Sequence, residues 1–161
     1  MLEMPLGGTP KNHMTEKNFQ TGVQLILAAS AAGTPHHESI LSLGDTPQYL
    51  IDHDFPKLPL VVKGSTIDKA FYDHGISKKI LERLIAIIHN PKALYRSATV
   101  QGSAVVITFE VKNDSPILVP LHPNKPLGRS FTANLVASVY HKEPTIETRW
   151  QQRGLLLWKK K

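Results

Sequence analysis

Three apolar segments joined by very short links constrain the fold of this chain more than any other feature. The segments are ALYRSAT (93–99), SAVVITFEV (103–111) and SPILVPLHP (115–123), connected by the three-residue links VQG and KND. In the middle segment apolar residues recur at every second position from 105 to 111, which is the period of a strand. Because three residues can join antiparallel neighbours but not parallel ones, the sequence predicts a three-stranded antiparallel meander.

The stretch FTANLVASVY, residues 131–140, has the same period and an unusual second face. Every second residue from Phe131 is apolar, whereas the alternate positions hold mostly uncharged hydrogen-bonding groups: Thr132, Asn134, Ser138 and Tyr140. A solvated sheet face usually carries charged residues, so this face either packs under a helix or forms a polar floor for a ligand. As a strand the stretch is the fourth of the sheet, and LLLW (155–158) is the fifth. The same apolar residues also fit a helical stripe, which is the competing interpretation.

Helical patterns precede these strands. In ISKKILERLIAIIHNP, Ser77 is a good N-cap, apolar residues recur at helical spacing, and Asn90-Pro91 ends the helix. A shorter helix is expected over residues 65–73, and the apolar run LPLVV (58–62) predicts a buried strand. Helices followed by antiparallel strands predict an α+β fold with a sheet of about four to five strands.

The N-terminal third is less regular. Residues 1–20 read as a linker or loosely held arm, and a first helical region is expected to follow until AGTPHHES breaks it. Two further helix starts are predicted, at Thr34-Pro35 and at Asp45-Thr46-Pro47. These patterns predict an N-terminal arm or extra helix, residues 1–42, followed by a main domain, residues 43–161.

Composition limits the classes of site and partner. The 161 residues include no cysteine, which excludes disulfides and thiolate metal sites. Lys and Arg outnumber Asp and Glu by 19 to 13, giving a net charge of +6. That charge favours anionic partners, either nucleic acid or an acidic inhibitor protein. No apolar run approaches the roughly 20 residues that cross a bilayer, so no membrane partner is expected.

Several residues could carry chemistry, each with a structural alternative. His74 in DKAFYDHGIS is either a helix C-terminal histidine or a general acid or base, with Lys69 upstream. Arg96, next to Ser97, is either an edge-strand solubiliser or a clamp for a phosphodiester. HHE at 36–38 could hold a metal only with a distant partner, and a solvated helix start is the simpler interpretation. Gly-rich phosphate loops, HExxH and nucleophile elbows are absent from the sequence.

Blocks of this sequence, in their order and spacing, resemble one bacteriophage-associated domain. They are LGDTPQYLIDHDFPKLPLVV, DHGIS, NPKALYRSAT, PILVPLHP and NLVASVYHK, which span roughly residues 43–158. The chain is similar to the phage branch of the barnase, EndoU, colicin and RelE-like nuclease superfamily. This branch occurs at the C-termini of Mu-type head-morphogenesis proteins, in large phage polyvalent proteins and in toxin-like proteins.

The resemblance implies N-terminal helices on a curved antiparallel sheet, and metal-independent RNA cleavage without a cofactor. In that reaction a base activates the ribose 2′-hydroxyl, which attacks the adjacent phosphate, and an acid protonates the leaving 5′-oxygen. The implied catalytic residues are His74 as acid or base, Arg96 as phosphate clamp, and a polar lining of Ser97, Asn134, Ser138 and Tyr140. The implied substrate-binding residues are Lys69 and Thr132. His122, Lys125 and Arg129 lie in the basic loop HPNKPLGRS (122–130), which is either a solvated loop or a grip for a nucleic-acid backbone. His122 and His141 are the candidates for a second catalytic histidine.

The leading function is therefore a toxin- or phage-effector-type ribonuclease acting on RNA as small as a tRNA. Its expected place of action is the bacterial host cytoplasm, and an acidic immunity or antitoxin protein is the expected protein partner. One alternative is a catalytically inactive phage structural or accessory interaction module. A second is an ADP-ribosyltransferase-like enzyme, for which Glu143 and Glu147 lack the expected paired context.

Overall fold

The computed structural model describes the backbone of residues 8–161 and the side chains of residues 14–161. Helices and strands follow one another along this part of the chain in an α+β order. In sequence they are α1 Gly8–Ala31, β1 Ile40–Asp45, α2 Gln48–Ile51, β2 Pro59–Lys63, α3 Gly64–Asp68, a π-helical turn Lys69–Asp73, α4 Lys78–Glu82, α5 Leu84–His89, β3 Ala93–Arg96, β4 Ala104–Lys112, β5 Ser115–Pro126, β6 Thr132–Val136, β7 Tyr140–His141, α6 Ile146–Gln152 and β8 Leu156–Lys159. No helix in residues 8–161 is long and apolar enough to cross a membrane.

The strands form a single mixed sheet in the order β1-β2-β6-β5-β4-β3-β8, with β7 paired to β5. The predicted meander is confirmed, since β3, β4 and β5 are antiparallel neighbours. The predicted fourth and fifth strands are also confirmed: β6 is antiparallel to β5, and β8 is antiparallel to β3. The sheet has eight strands, where the sequence predicts about four or five, because β1, β2 and β7 join it.

β2 takes a position in this sheet that its own sequence pattern does not predict. It pairs antiparallel with β1 on one side and parallel with β6 on the other, with Leu60 opposite Asn134 and Val62 opposite Val136. The predicted buried strand at 58–62 is therefore confirmed, since residues 60–62 are almost fully buried. Its partner β6 lies more than 70 residues further along the chain (60 to 134), and only the folded sheet brings the two together.

Side-chain alternation along the central strands divides the core between the two faces of the sheet. Leu94, Val106 and Val119 belong to the larger cluster, which includes buried residues of α1 to α5. Tyr95 and Leu118 belong to the smaller cluster, with Ile146 and Trp150 of α6. One face is thus covered by the N-terminal helices, while α6 covers only part of the other.

Helix α1 corrects the expectation for the start of the chain. Residues 8–20, predicted as a loose arm, belong to this helix, and residues 1–7 lie outside the described residues. Phe19, Val23, Ile26 and Leu27 recur at helical spacing and are at most 6% exposed, so their burial holds α1 against the sheet. The expected break at AGTPHHES is confirmed, since α1 ends at Ala31.

Of the two predicted helix starts in the N-terminal third, the one at Thr34-Pro35 is wrong, whereas the one at Asp45-Thr46-Pro47 is confirmed as α2 with a different cap. Residues 32–39, including Thr34-Pro35 and HHE, form turns and loop rather than a helix. α2 begins at Gln48 after Pro47, without a side-chain cap. The Thr46 hydroxyl instead donates to the Leu58 carbonyl at 2.6 Å and accepts from the Asn134 amide at 2.7 Å.

The central helices follow the prediction more closely. Ser77 caps α4 by accepting from the Ile80 N–H, as expected, and α5 ends before Asn90. The predicted single helix is broken at Arg83, whose φ of −103° and ψ of 14° leave the helical range. The predicted helix over residues 65–73 corresponds to α3 together with the π-helical turn that follows it. At the end of this turn the His74 N–H donates to the Lys69 carbonyl.

Candidate functional site

A cleft of about 570 Å³ opens between the sheet face opposite the N-terminal helices and α6. The sheet contributes its polar floor, including Ser103 from the edge of β4, His122 of β5 and Tyr140 of β7. α6 and the segment before it contribute a cationic wall, and the β3–β4 connection closes one end. The lining residues used below are Ser97, Ser103, His122, Tyr140, Lys142, Arg149, Trp150 and Arg153.

A partly buried polar network and aromatic packing hold α6 over the sheet. Glu147 accepts from the Lys92 ammonium at 3.0 Å and from the Tyr95 hydroxyl at 3.2 Å. Gln151 donates to the same hydroxyl at 2.9 Å, and the Tyr95 and Trp150 rings lie 5.5 Å apart. Since residues three or four apart share a helix face, this docking turns Arg149 and Arg153 together toward the cleft.

His122 is the most chemically distinctive residue of the cleft. Its Nδ1 is hydrogen-bonded to the Ser103 hydroxyl at 2.6 Å, between neighbouring strands in register. Burial, and secondly the positive charge of Lys125, lower the pKa of His122 below its usual value. A neutral imidazole at pH 7, oriented by one ring nitrogen, leaves the other nitrogen free to exchange a proton.

Tyr140 provides a second proton-exchanging group in the same cleft. Burial raises the pKa of its phenol, so the hydroxyl stays protonated at neutral pH and can donate. The ring packs edge-on against His74, with 6.1 Å between ring centroids. His74 in turn donates from Nδ1 to the Val139 carbonyl at 3.0 Å, which ties the π-helical turn to the strand that carries Tyr140.

Positive charge dominates the cleft wall. Lys142, Arg149 and Arg153 all line it, and no carboxylate is among its described lining residues. Arg149 forms an exposed ion pair with Glu143 outside the cleft. A phosphate entering here therefore meets cations and neutral donors without a facing negative charge.

The structure brings together only some of the predicted site residues. Ser97, His122 and Tyr140 line the cleft, and His74 lies behind Tyr140 without lining it. The Ser97 hydroxyl also accepts the Thr99 and Val100 N–H groups, which gives it a turn-forming role. Arg96, the last residue of β3, lies outside the lining and donates to the Gly154 carbonyl at 3.2 Å.

Asn134 lies on the helix-covered face, away from the cleft. It is fully buried; its amide donates to the Thr46 hydroxyl at 2.7 Å and to the Pro56 carbonyl at 3.0 Å. Its carbonyl oxygen accepts from the Asn124 N–H at 3.0 Å. For this residue the neutral face of FTANLVASVY is a face packed under other elements, as the structural alternative expected.

The other predicted site residues, catalytic Ser138 and the substrate-binding set, are dispersed. Thr132 and Lys125 lie at the β5–β6 pairing, Arg129 is exposed in the connection between them, and Ser138 lies half-buried between β6 and β7. Lys69 lines a different cavity, near the end of α1. His74 itself occupies the C-cap of the π-helical turn, before Gly75 in the left-handed region, as the helix-terminus alternative expected.

The cationic wall and Ser103 were not among the residues predicted from the sequence. The spacing of Arg149 and Arg153 in ETRWQQR, on one face of a short amphipathic helix, was a usable signal. Ser103 and Lys142 carried no comparable signal, because only strand pairing places them beside His122 and Tyr140.

Comparison with known proteins identifies a family whose model matches this chain. The family model described as the phage MuF C-terminal domain matches residues 65–161, which is more than half of the chain and includes every lining residue named for the cleft. No curated protein and no solved structure matches the chain.

Proposed function

The chain belongs to the phage MuF C-terminal domain family, and on that premise we propose that it is a metal-independent endoribonuclease. One observation carries the proposal: a neutral, serine-bound His122 and a protonated Tyr140 share a cleft with three cations. Transfer of a phosphoryl group from the 5′-oxygen to a neighbouring hydroxyl needs a base, an acid and cations for the developing charge.

His122 serves as the base. When Nδ1–H donates to the Ser103 hydroxyl, Nε2 keeps its lone pair and takes the proton of the ribose 2′-hydroxyl. The 2′-oxygen then forms a bond to the adjacent phosphorus while the bond from phosphorus to the 5′-oxygen breaks. The products are a 2′,3′-cyclic phosphate and a 5′-hydroxyl, and the atoms balance without a co-reactant.

Tyr140 serves as the acid and the basic residues as the phosphate clamp. The Tyr140 phenol donates its proton to the departing 5′-oxygen, and Lys142, Arg149 and Arg153 stabilise the charge on the non-bridging oxygens. The acid or base role expected for His74 is thus assigned to His122 and Tyr140. His74 acts as a positioning residue for the Tyr140 ring, and Arg96 lies beside the cleft as a further candidate contact to RNA.

Cleavage of total RNA by the purified chain in EDTA tests the proposal. We expect fragments that end in cyclic phosphate, and His122→Ala should reduce their rate of formation by a factor of about 10²–10⁴. The matched control is His89→Ala, because His89 is exposed at the end of α5, away from the cleft, and bonds the carbonyl one turn before it. Equal rates for wild type and His122→Ala would contradict the mechanism.

The alternatives give different results in the same assay. A catalytically inactive phage structural or accessory module yields no RNA fragments from the wild-type chain. An ADP-ribosyltransferase-like enzyme consumes NAD instead of cleaving RNA. If the ribonuclease acts in the bacterial host cytoplasm, an acidic immunity or antitoxin protein is the partner suited to cover the Lys142, Arg149 and Arg153 wall.

A further inference from the structure

A second cavity, of about 450 Å³, lies on the helical side of the molecule, apart from the cleft. Ser30 near the end of α1, His37 of the following loop, Asp68 of α3 and Tyr72 of the π-helical turn line it. None of these residues has a role in the proposed ribonuclease reaction.

Asp68 is a buried carboxylate with unused hydrogen-bonding capacity. Its side chain is 9% exposed, and one oxygen, Oδ2, accepts from the Ser30 hydroxyl at 2.6 Å and lies 3.2 Å from His37 Nε2. The other oxygen, Oδ1, accepts no hydrogen bond from any residue that the structure describes. Buried carboxylate oxygens normally accept at least one hydrogen bond. Oδ1 therefore has room for a donor, which a ligand can supply.

The His37 side chain can turn away from Asp68 while the backbone of its loop stays in place. The backbone of the loop is held by the Ser65 N–H on the His37 carbonyl at 3.1 Å and by the Gly64 N–H on the Ser39 carbonyl at 2.7 Å. The His37 side chain is 53% exposed, so little packing is lost when it turns toward solvent. Since His37 and Asp68 line the same cavity, a ligand there can take the place of the imidazole beside Asp68 Oδ2.

Tyr72 adds an aromatic surface to the same cavity. It is 51% exposed, and the π-helical turn places it on the cavity wall while its hydroxyl contacts the Leu27 carbonyl at 3.4 Å. Single π-helical turns are rare and concentrate at functional sites. A carboxylate with two oxygens beside an exposed ring matches a planar cation, which can bond both oxygens and stack on the ring.

We infer that this cavity binds a guanidinium group, which replaces His37 and bonds both oxygens of Asp68. The group belongs either to a small guanidino compound or to an arginine side chain of a polypeptide. A metal ion is a poorer match, because no group of three or more His, Cys, Asp or Glu side chains within the described part of the chain could hold one. The inference does not depend on the ribonuclease activity.

Nuclear magnetic resonance titration of the full-length, ¹⁵N-labelled chain with methylguanidinium chloride tests this inference, with sodium chloride at equal concentration as reference. We expect saturable shifts of the amides around Ser30, Asp68 and Tyr72. Asp68→Asn should weaken binding at least about tenfold, because a charge-assisted bidentate pair is lost. Asp73→Asn, the same charge change at an exposed position of the cavity rim, should alter the affinity less than about twofold.

Further variants and probes keep the test decisive. His37→Ala leaves Asp68 intact and removes the competing group, so it should strengthen binding, and it replaces Asp68→Asn if that variant does not fold.

Methylammonium should bind more weakly than methylguanidinium, since it cannot engage both oxygens. A capped Gly-Arg-Gly peptide that binds more tightly than methylguanidinium indicates a polypeptide source, and equal affinity indicates a small molecule. Shifts that never saturate, or that are the same in Asp68→Asn, overturn the inference.

Discussion

At the scale of single residues, the pKa of His122 determines how the proposed reaction should depend on pH. Burial is the larger cause of its lowered pKa and Lys125 the smaller, so the neutral base persists below the ordinary histidine value of about 6.5. The unfolded chain therefore binds more protons than the folded chain between the lowered pKa and that value. In this interval both the fraction of neutral His122 and its contribution to folding stability increase with pH.

Lys125→Gln removes the second of these two causes. We expect the pKa of His122 to increase, so that the acid limb of the plot of kcat/KM for RNA against pH moves to higher pH. Titration of the imidazole by nuclear magnetic resonance measures the same change directly and does not require activity. Lys57→Gln, at an exposed lysine of the β1–β2 region, is the control with the same charge change. An acid limb that stays in place or moves to lower pH contradicts this account.

At the scale of secondary structure elements, the docking of α6 decides whether the cleft has a cationic wall. Glu147 is the centre of that docking, since its carboxylate receives both Lys92 and Tyr95, and it is only 14% exposed. Glu143, just before the helix, makes an exposed ion pair with Arg149. Replacing each glutamate by glutamine therefore makes the same chemical change at a partly buried and at an exposed position.

Glu147→Gln should destabilise the chain by about 1–3 kcal/mol, because it weakens hydrogen bonds to a charged acceptor in a partly buried network. Glu143→Gln should cost less than about 1 kcal/mol, as exposed ion pairs contribute little. Urea denaturation of both variants at pH 7 measures the difference. If the two variants are equally stable, the Glu147 network does not hold α6 as described.

At the scale of the whole molecule, the segment before the family match completes the sheet and the core. Residues 60–62 of β2 are at most 2% exposed beside β6, and Phe19 and Val23 of α1 are equally buried. The matched region, residues 65–161, contains neither element. Without them, the β6 edge and the part of the helix-covered face that α1 packs against would be exposed to water.

A fragment of residues 64–161 should therefore fail to fold cooperatively. We expect poor dispersion in its amide spectrum and no single thermal transition, while the full chain under the same conditions shows both. The loss of several fully buried apolar side chains, each contributing about 1.5–3 kcal/mol, exceeds the total stability of a typical domain. A well-dispersed, cooperatively unfolding fragment would show that the family region is an independent folding unit.

The sequence determined those features that depend on neighbouring residues. The alternation in 103–111, the three-residue links, the Ser77 cap and the Asn90-Pro91 stop specify the meander and the central helices, because period, turn length and capping act within a few residues. Tyr140 and His122 could also be named as candidates from the sequence, since uncharged or basic polar groups on strands are conspicuous.

Only the tertiary structure decided which of these groups share a site. Thr132 and Asn134 belong to the same alternating pattern as Tyr140. Asn134 is nevertheless buried against Thr46 and Pro56 while Tyr140 lines the cleft, because the strand is interrupted at residues 137–139. Ser103 reaches His122, and α6 brings its arginines to the cleft, through strand register and packing between distant segments. Those contacts form between residues far apart in sequence and depend on the free energy of the whole sheet. A pattern of neighbouring residues therefore cannot predict them.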